Sequence, residues 1–379
     1  MGRAYAGQVR EVAGLAAEAL PQVPAQVWEP VAVGPESGFR NKAKMVVAGS
    51  MAQPTLGILD PRGGGIDLRD CGLHDPRIVA ALPALAEHIG VAGLAPYDVA
   101  TRRGELKQVH LTTAPSGDLM LRWVLRSTEP VPRLRKHLPA LQRALPALRV
   151  ASANIQPLHA AIPEGPDEHL LTAQEDLEIE LPTAPAPLRL RLRPGGFLQT
   201  NHHVAAQLYD SAARWLRDPV GRQGLWDLYC GVGGFALAVG AAWRSAAQEA
   251  NGGPSGPDGL VGVETSEEAV AAARHEAARR GIAATFVAAD AGAYAAAADR
   301  SAHPGTVIVN PPRRGIGPLA SWLEESAVER VLYSSCHLGS LADDLQRMPS
   351  WRVTRARVFD MFPQTAHVET AVLLERQTA

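Results

Sequence analysis

The chain has 379 residues, 46% of them apolar, with 37 Lys/Arg against 39 Asp/Glu for a formal charge of −2. That length suits two domains better than one, and the near-neutral balance excludes a uniformly basic nucleic-acid coat. There is no apolar run of about 18 residues or more, so no membrane span is expected. Cys71, Cys230 and Cys336 lie far apart with no CxxC pair. They form no disulfide framework and point to a reducing, cytoplasmic compartment.

Residues 1–20 read as an amphipathic helix, because charges interrupt the apolar pattern that a signal peptide would need. Residues 40–60 read as strands, with KAKMVVAG as their apolar, β-branched stretch and a Pro/Gly-rich turn after them at 61–65. LHDPRIVAALPALAEHIG (73–90) has helical spacing and stops at a glycine. QVHLTTAPSGDLMLRWVLRS (108–127) is a hairpin around Pro-Ser-Gly-Asp, and RLRKHLPALQRALPALRV (133–150) is a helix running into a strand. ASANIQPLHAAIPEG and HLLTAQEDLEIEL are expected to continue that sheet. Residues 101–150 hold ten Lys/Arg against three Asp/Glu, and residues 151–200 hold three against seven. The basic stretch suits phosphate contacts and equally suits a solvated face.

The second half changes rhythm. HVAAQLYDSAARWLRD is a helix; then strands (GLWDLYCG, GLVGVE, ATFVAAD, TVIVNPP, RVLYSSC) alternate with helices, which predicts a parallel, doubly wound sheet. NGGPSGPDG (251–259) reads as a flexible surface insert. WRVTRARVFD and HVETAVLLE close the chain as two strands.

DLYCGVGG (227–234) closes a strand and opens a helix. Gly231, Gly233 and Gly234 let the backbone turn tightly and approach a ligand. Dinucleotide-binding domains use the same device. Asp227 suits an amino-acid-bearing cofactor better than a pyrophosphate, and Glu264, ending the next strand, can accept both ribose hydroxyls. Asp290 either meets an adenine edge or caps a helix. Asn310, in VNPP, reaches the same rim, and Arg313 and Arg314 follow it where an aromatic residue would suit an amino-bearing base. Cys230 reads as packing. Cys336 ends a buried strand at the rim, as a structural thiol or a nucleophile. Glu369 stands in an apolar strand, where a carboxylate is costly unless used, and is the candidate proton acceptor. His367, two residues away, is expected on the same face. Phe197 and Gln199, in PGGFLQTN, suit stacking on a flipped pyrimidine and hydrogen bonds to its edge.

PGGFLQTN, DLYCGVGG, GVETSEEAV, NPPRRGIG, SSC and FDMFPQTAHVE, in this order, resemble the RNA uracil-5-methyltransferases from about residue 28 to the end. The resemblance implies an α/β fold: a class I Rossmann-like methyltransferase domain at 194–379 and a mixed α+β RNA-binding domain at 28–193. Residues 1–27 would be a remnant of a cluster-binding segment. It implies S-adenosyl-L-methionine as cofactor, Cys336 as nucleophile and Glu369 as base. Gln199, Tyr229, Glu264 and Asn310 would contact the cofactor or its pocket, beside Asp227, Gly231, Gly233 and Asp290. Phe197, Gln199 and Arg313 would face the substrate.

SGFRNKAKMVV, ANIQP, NPPRRGIG and FDMFP look most like the branch acting on 23S ribosomal RNA, and a monomer is expected. A tRNA, another ribosomal uridine or a non-catalytic RNA-binding relative is the alternative. Two features depart from the family. Its [4Fe-4S] cluster takes three N-terminal cysteines and a fourth; Cys71 matches the fourth alone, so no cluster is expected, through a late start or a loss. The nucleophile is usually followed by asparagine, and here by His337, which as an imidazolium would favour the thiolate and as a neutral ring would misplace it.

Overall fold

A computed structural model describes residues 4–159, 162–218, 224–249, 259–365 and 367–377. The chain forms two compact units: Met1–Glu36, Glu180–Arg191 and Gly196–Ala379 make unit 1, and Ser37–Ile179 with Leu192–Gly195 makes unit 2. The chain begins in unit 1 with α1 (Tyr5–Ala19) and β1 (Trp28–Ala32).

Unit 2 follows with β2 (Lys42–Gly49), β3 (Pro54–Leu59), β4 (Gly65–Asp67), α2 (Pro76–Val91), β5 (Leu106–Thr113), β6 (Leu119–Leu125), α3 (Val131–Ala144), β7 (Leu148–Ile155) and β8 (Asp167–Leu170). Its sheet runs β4-β3-β2-β5-β6-β7-β8. β5 and β6 form the antiparallel hairpin expected from sequence, while β6 and β7 are parallel because α3 crosses between them. α2 starts where Asp75 accepts the Arg77 N–H at 2.9 Å, with Pro76 in the first turn, where its missing N–H costs nothing. Alternate strand residues (Met45, Val109, Leu121, Trp123) share one core with Ile78, Leu85 and Leu134 of the helices. The opposite parity is polar, with buried His110, Arg122 and Asn154. Arg122 pairs there with Glu164 and Glu168. Arg126, Arg133 and Arg149 also hold carboxylates, on Glu105, Glu129 and Asp118. Part of the basic excess of residues 101–150 is therefore spent inside the unit.

β9 (Leu177–Leu181) and β10 (Leu188–Leu192) form a separate two-stranded ribbon. Unit 1 then continues with α4 (His202–Trp215), β11 (Leu225–Leu228), α5 (Gly234–Glu249), β12 (Leu260–Glu264), α6 (Glu267–Arg280), β13 (Ala284–Ala288), α7 (Ala291–Ala297), β14 (Thr306–Val309), α8 (Pro318–Glu325), β15 (Arg330–Ser335), α9 (Leu338–Gln346), β16 (Trp351–Phe359) and β17 (Glu369–Arg376). The sheet order is β1-β16-β17-β15-β14-β11-β12-β13. The strands from β13 to β15 are parallel, and β17 runs antiparallel between β15 and β16. α6 shows why local sequence sufficed here. Ser266 caps it onto the Ala269 N–H at 3.3 Å, Glu267 and Glu268 sit in its first turn, Arg279 and Arg280 in its last, and Gly281 ends it at φ 61°.

Three sequence expectations change. β1 pairs in parallel with β16, Trp28 opposite Ala356 and Ala32 opposite Phe359, so β1 extends the unit 1 sheet and residues 28–36 fall in unit 1. α1 also belongs to unit 1, where the Tyr5 hydroxyl donates to Asp360 Oδ2 at 2.6 Å. A division at residue 28 fails because a five-residue strand carries no mark of the sheet it joins. HLLTAQEDLEIEL does not continue the unit 2 sheet as a whole: β8 does, whereas β9 turns to β10. The insert read at 251–259 lies outside the described residues except for Gly259. Among the described residues no helix is long and apolar enough to cross a membrane.

Candidate active site

The strand order reverses beside β11: β12 and β13 lie on one side, β14 and β15 on the other. Open α/β sheets bind ligands at such a switch point, beyond the carboxyl ends of the strands. Asp227 in β11, Glu264 at the end of β12, Asn310 after β14 and Cys336 after β15 all belong to that rim.

The loop from β11 to α5 is built from left-handed backbone. Tyr229 has φ 69°, Gly231 54° and Gly233 85°. The amides of Tyr229 and Cys230 both bond the Val263 carbonyl, at 3.0 Å each, which ties the loop to β12. A Cβ at Gly233 would come within 3.1 Å of both Ala273 and Phe286, so this glycine serves packing as well as conformation. A Cβ at Gly231 would meet nothing within 4 Å, so this part of the loop faces open space. The Gly231 N–H donates to Glu264 Oε2 at 3.2 Å, and the Ser266 N–H and Thr265 hydroxyl donate to Oε1 at 3.0 and 2.9 Å. The Glu264 carboxylate is thus fixed beside the glycines.

Asp227 is fully buried. Its Oδ2 accepts the Ala236 N–H at 2.9 Å, while Oδ1 is buried with no donor among the described residues. Burial pushes this carboxyl up to about 7, with the Ala236 amide opposing and Glu264 adding to the rise. A buried acceptor left open is what a cationic ammonium or a donor from a bound molecule would satisfy. With the Glu264 carboxylate and the open glycines, it fits an amino-acid-bearing nucleoside such as S-adenosyl-L-methionine. Asp290 is exposed and caps α7, its Oδ1 accepting the Ala293 N–H at 2.9 Å. Cys230 is buried and its thiol is pushed far up by burial, then by Asp227 and Glu264, so it is an inert packing group.

Cys336 is half-buried, in the first residue after β15. Burial raises its thiol and Glu369 raises it further, while the positive charge of the Arg313 guanidinium pulls it back down. Arg313, expected at the substrate, thus also acts on the charge of the thiol. Its loop is anchored from below by Asp344 of α9, 3% exposed, which accepts the Ile316 N–H at 2.8 Å and the Tyr333 hydroxyl at 2.7 Å. Asp344→Ala leaves two buried donors without a charged acceptor. It should cost about 2–4 kcal/mol and slow iodoacetamide labelling of Cys336. Unchanged melting and labelling would mean that the loop is held by other means.

Glu369 opens β17. The antiparallel register pairs Ser335 with Thr370, so the next pair along is Cys336 and Glu369. The carboxylate is 2% exposed and accepts the Ser334 hydroxyl at 2.5 Å. Burial lifts it to about 7 against the lowering effect of that bond. As the candidate base, Glu369 would act only when ionised, so activity should climb as pH rises through about 7. Stability has the opposite sign: a carboxyl raised by folding stabilises at acid pH and loses that contribution as pH rises through its folded value. Melting temperatures of Glu369→Gln and the natural protein should diverge in favour of the variant as pH rises through about 7; a constant difference would contradict the assignment.

Three sequence expectations are separated by the structure. Phe197 is 68% exposed whereas Gln199 is 4% exposed, in the irregular segment between β10 and α4. His367 precedes β17, is exposed and meets the Phe362 ring edge-on at 6.4 Å, so it does not share a face with buried Glu369. His337 is the N-cap of α9, its Nδ1 accepting the Ser340 N–H at 3.1 Å. His337 thus performs the capping that an asparagine side chain would. Cys71 is half-buried in unit 2, and among the described residues no three His, Cys, Asp or Glu come together as metal ligands. One thiolate does not fit a four-iron cluster.

Comparison with known proteins points one way. The family described as tRNA (Uracil-5-)-methyltransferase matches residues 298–377. The "23S rRNA (uracil(747)-C(5))-methyltransferase RlmC" of Escherichia coli O139:H28 is 44% identical over 363 residues, 94% of this chain and 91% of that protein, and the same protein of strain SMS-3-5 matches equally. Among solved structures, the Pyrococcus abyssi tRNA (uracil-54, C5)-methyltransferase in complex with S-adenosyl-L-homocysteine aligns with a TM-score of 0.73 at 20% identity, covering 98% of this chain and 83% of that one.

Proposed function

The chain belongs to the RNA uracil-5-methyltransferase family, and on that premise we propose that it methylates carbon 5 of a uridine in 23S ribosomal RNA through a covalent adduct on Cys336. The observation that carries the mechanism is the pairing of a half-buried thiol with a buried carboxylate at the rim of the glycine loop. Carbon 5 of uracil is a poor nucleophile. Addition of the Cys336 thiolate to carbon 6 makes carbon 5 enolate-like and able to take a methyl group. S-adenosyl-L-methionine, when bound, supplies that methyl. Glu264, Asp227, Tyr229, Asn310, Gly231 and Gly233 are its proposed holders, with Asp290 and Gln199 beside them. Arg313 steadies the thiolate, and Glu369 then removes the carbon-5 proton so that the thiolate can leave. Phe197 is a proposed stacking surface for a base.

The ribosomal target rests on the 44% identity across nearly the whole length. Unit 2 is the proposed holder of the RNA. Its short hairpin, closed by the Asp98 N–H on the Arg103 carbonyl at 2.8 Å, presents exposed Arg102 and Arg103, and Lys107 lies 4.7 Å over the Tyr97 ring. Such a cationic and aromatic surface suits an RNA strand. Mass spectrometry of RNA from a deletion strain tests the target. Loss of one 5-methyluridine from 23S RNA is expected; loss from tRNA alone, or no loss, overturns it.

A further inference from the structure

Two serines precede the nucleophile in β15, and their hydroxyls are used differently. Ser335 Oγ serves the turn: it accepts the His337 N–H and donates to the His337 carbonyl, both at 3.1 Å. Ser334 faces across the sheet. It is fully buried, and its hydroxyl donates to Glu369 Oε1 at 2.5 Å.

We propose that Ser334 is the positioning residue of the proton-removal step, holding Oε1 of Glu369 so that Oε2 is presented to the carbon-5 proton. The inference rests on the reaction proposed above. Glu369 is nearly sealed from solvent, so water cannot orient it, and an unanchored carboxylate at the head of a strand rotates about its terminal torsion. Among the described residues, the titratable groups that sense its charge are the Cys336 thiol of the β15 end and the Tyr209 hydroxyl of α4. Neither supplies a positive charge, and the Arg313 guanidinium acts on the thiol. A hydrogen bond from Ser334 therefore stabilises the ionised form where burial opposes it.

The step balances without another reactant. Cys336 Sγ is bonded to carbon 6 and the methyl already to carbon 5. Glu369 takes the carbon-5 proton, the carbon–hydrogen pair becomes the carbon 5–carbon 6 double bond, and the carbon–sulfur pair returns to sulfur as thiolate. Without the Ser334 hydroxyl, methyl transfer proceeds and elimination lags.

Rapid-quench turnover of the full chain, with methyl-tritiated S-adenosyl-L-methionine and 23S RNA from a deletion strain, separates the two. Methyl incorporation and a denaturation-resistant protein–RNA adduct are followed across pH. Ser334→Ala should leave methyl transfer within about twofold, prolong the adduct by about 10- to 100-fold at neutral pH, and move the acid limb of elimination toward alkaline pH. Ser334→Thr, which keeps the hydroxyl, should restore the natural limb. A merely structural serine would lower both phases together and leave the limb in place. Adduct decay in Ser334→Ala that matches the natural protein, or a Thr variant that behaves as Ala, overturns the proposal. Absence of methyl transfer and adduct in the natural protein overturns the reaction itself, a separate outcome.

Discussion

Cys336→Ala abolishes methyl transfer, by on the order of 10⁴-fold or more, the scale on which loss of a covalent nucleophile is felt. Binding of S-adenosyl-L-methionine survives, because the proposed holders stand on β11, β12 and β14 and make no bond to the sulfur. Alanine also removes little packing from a half-buried position, so melting should change by less than about 1 kcal/mol. Isothermal titration with the cofactor, beside a methyl-transfer assay, checks both. Full activity in the variant would end the covalent mechanism, and lost cofactor binding would mean that Cys336 belongs to the cofactor pocket.

Glu369→Gln separates the two halves of the reaction. The amide keeps the volume and can still accept from Ser334, but it takes up no proton. Removal of a general base costs about 10²- to 10⁴-fold, and here the cost falls on elimination alone. Methylated RNA should therefore accumulate on the protein as a band that survives denaturation. Prompt release of free methylated RNA would show that another group removes the proton.

Much of the fold was legible because its signals are local. The glycines after β11, the capping serine of α6 and the alternation of apolar strands with helices each declare themselves within a few residues. The rim of the sheet followed from strand ends, so Asp227, Glu264, Asn310 and Cys336 could be grouped before their geometry was known. The rest depends on distant pairings. β1 reads as any short strand, and its place beside β16 depends on partners more than 320 residues away. The Ser334–Glu369 bond needs the β15–β17 register, and the Asp344 anchor needs a helix packed beneath a loop. Period-2 reasoning failed for His367 with Glu369 because His367 lies before β17 begins, so spacing does not set its direction. Arg313 was visible as a charge, yet its effect on the thiol was not, because a long flexible side chain finds its surroundings only in three dimensions.

The central claim is that the Cys336 sulfur attacks the pyrimidine. RNA carrying 5-fluorouridine tests it most directly, since carbon 5 then bears no proton for Glu369 to remove and the adduct cannot collapse. With S-adenosyl-L-methionine present, digestion and mass spectrometry should find one methylated, fluorinated nucleotide bonded to the peptide containing Cys336. Methylated RNA with no adduct, or an adduct on Cys230 or Cys71, would contradict the account.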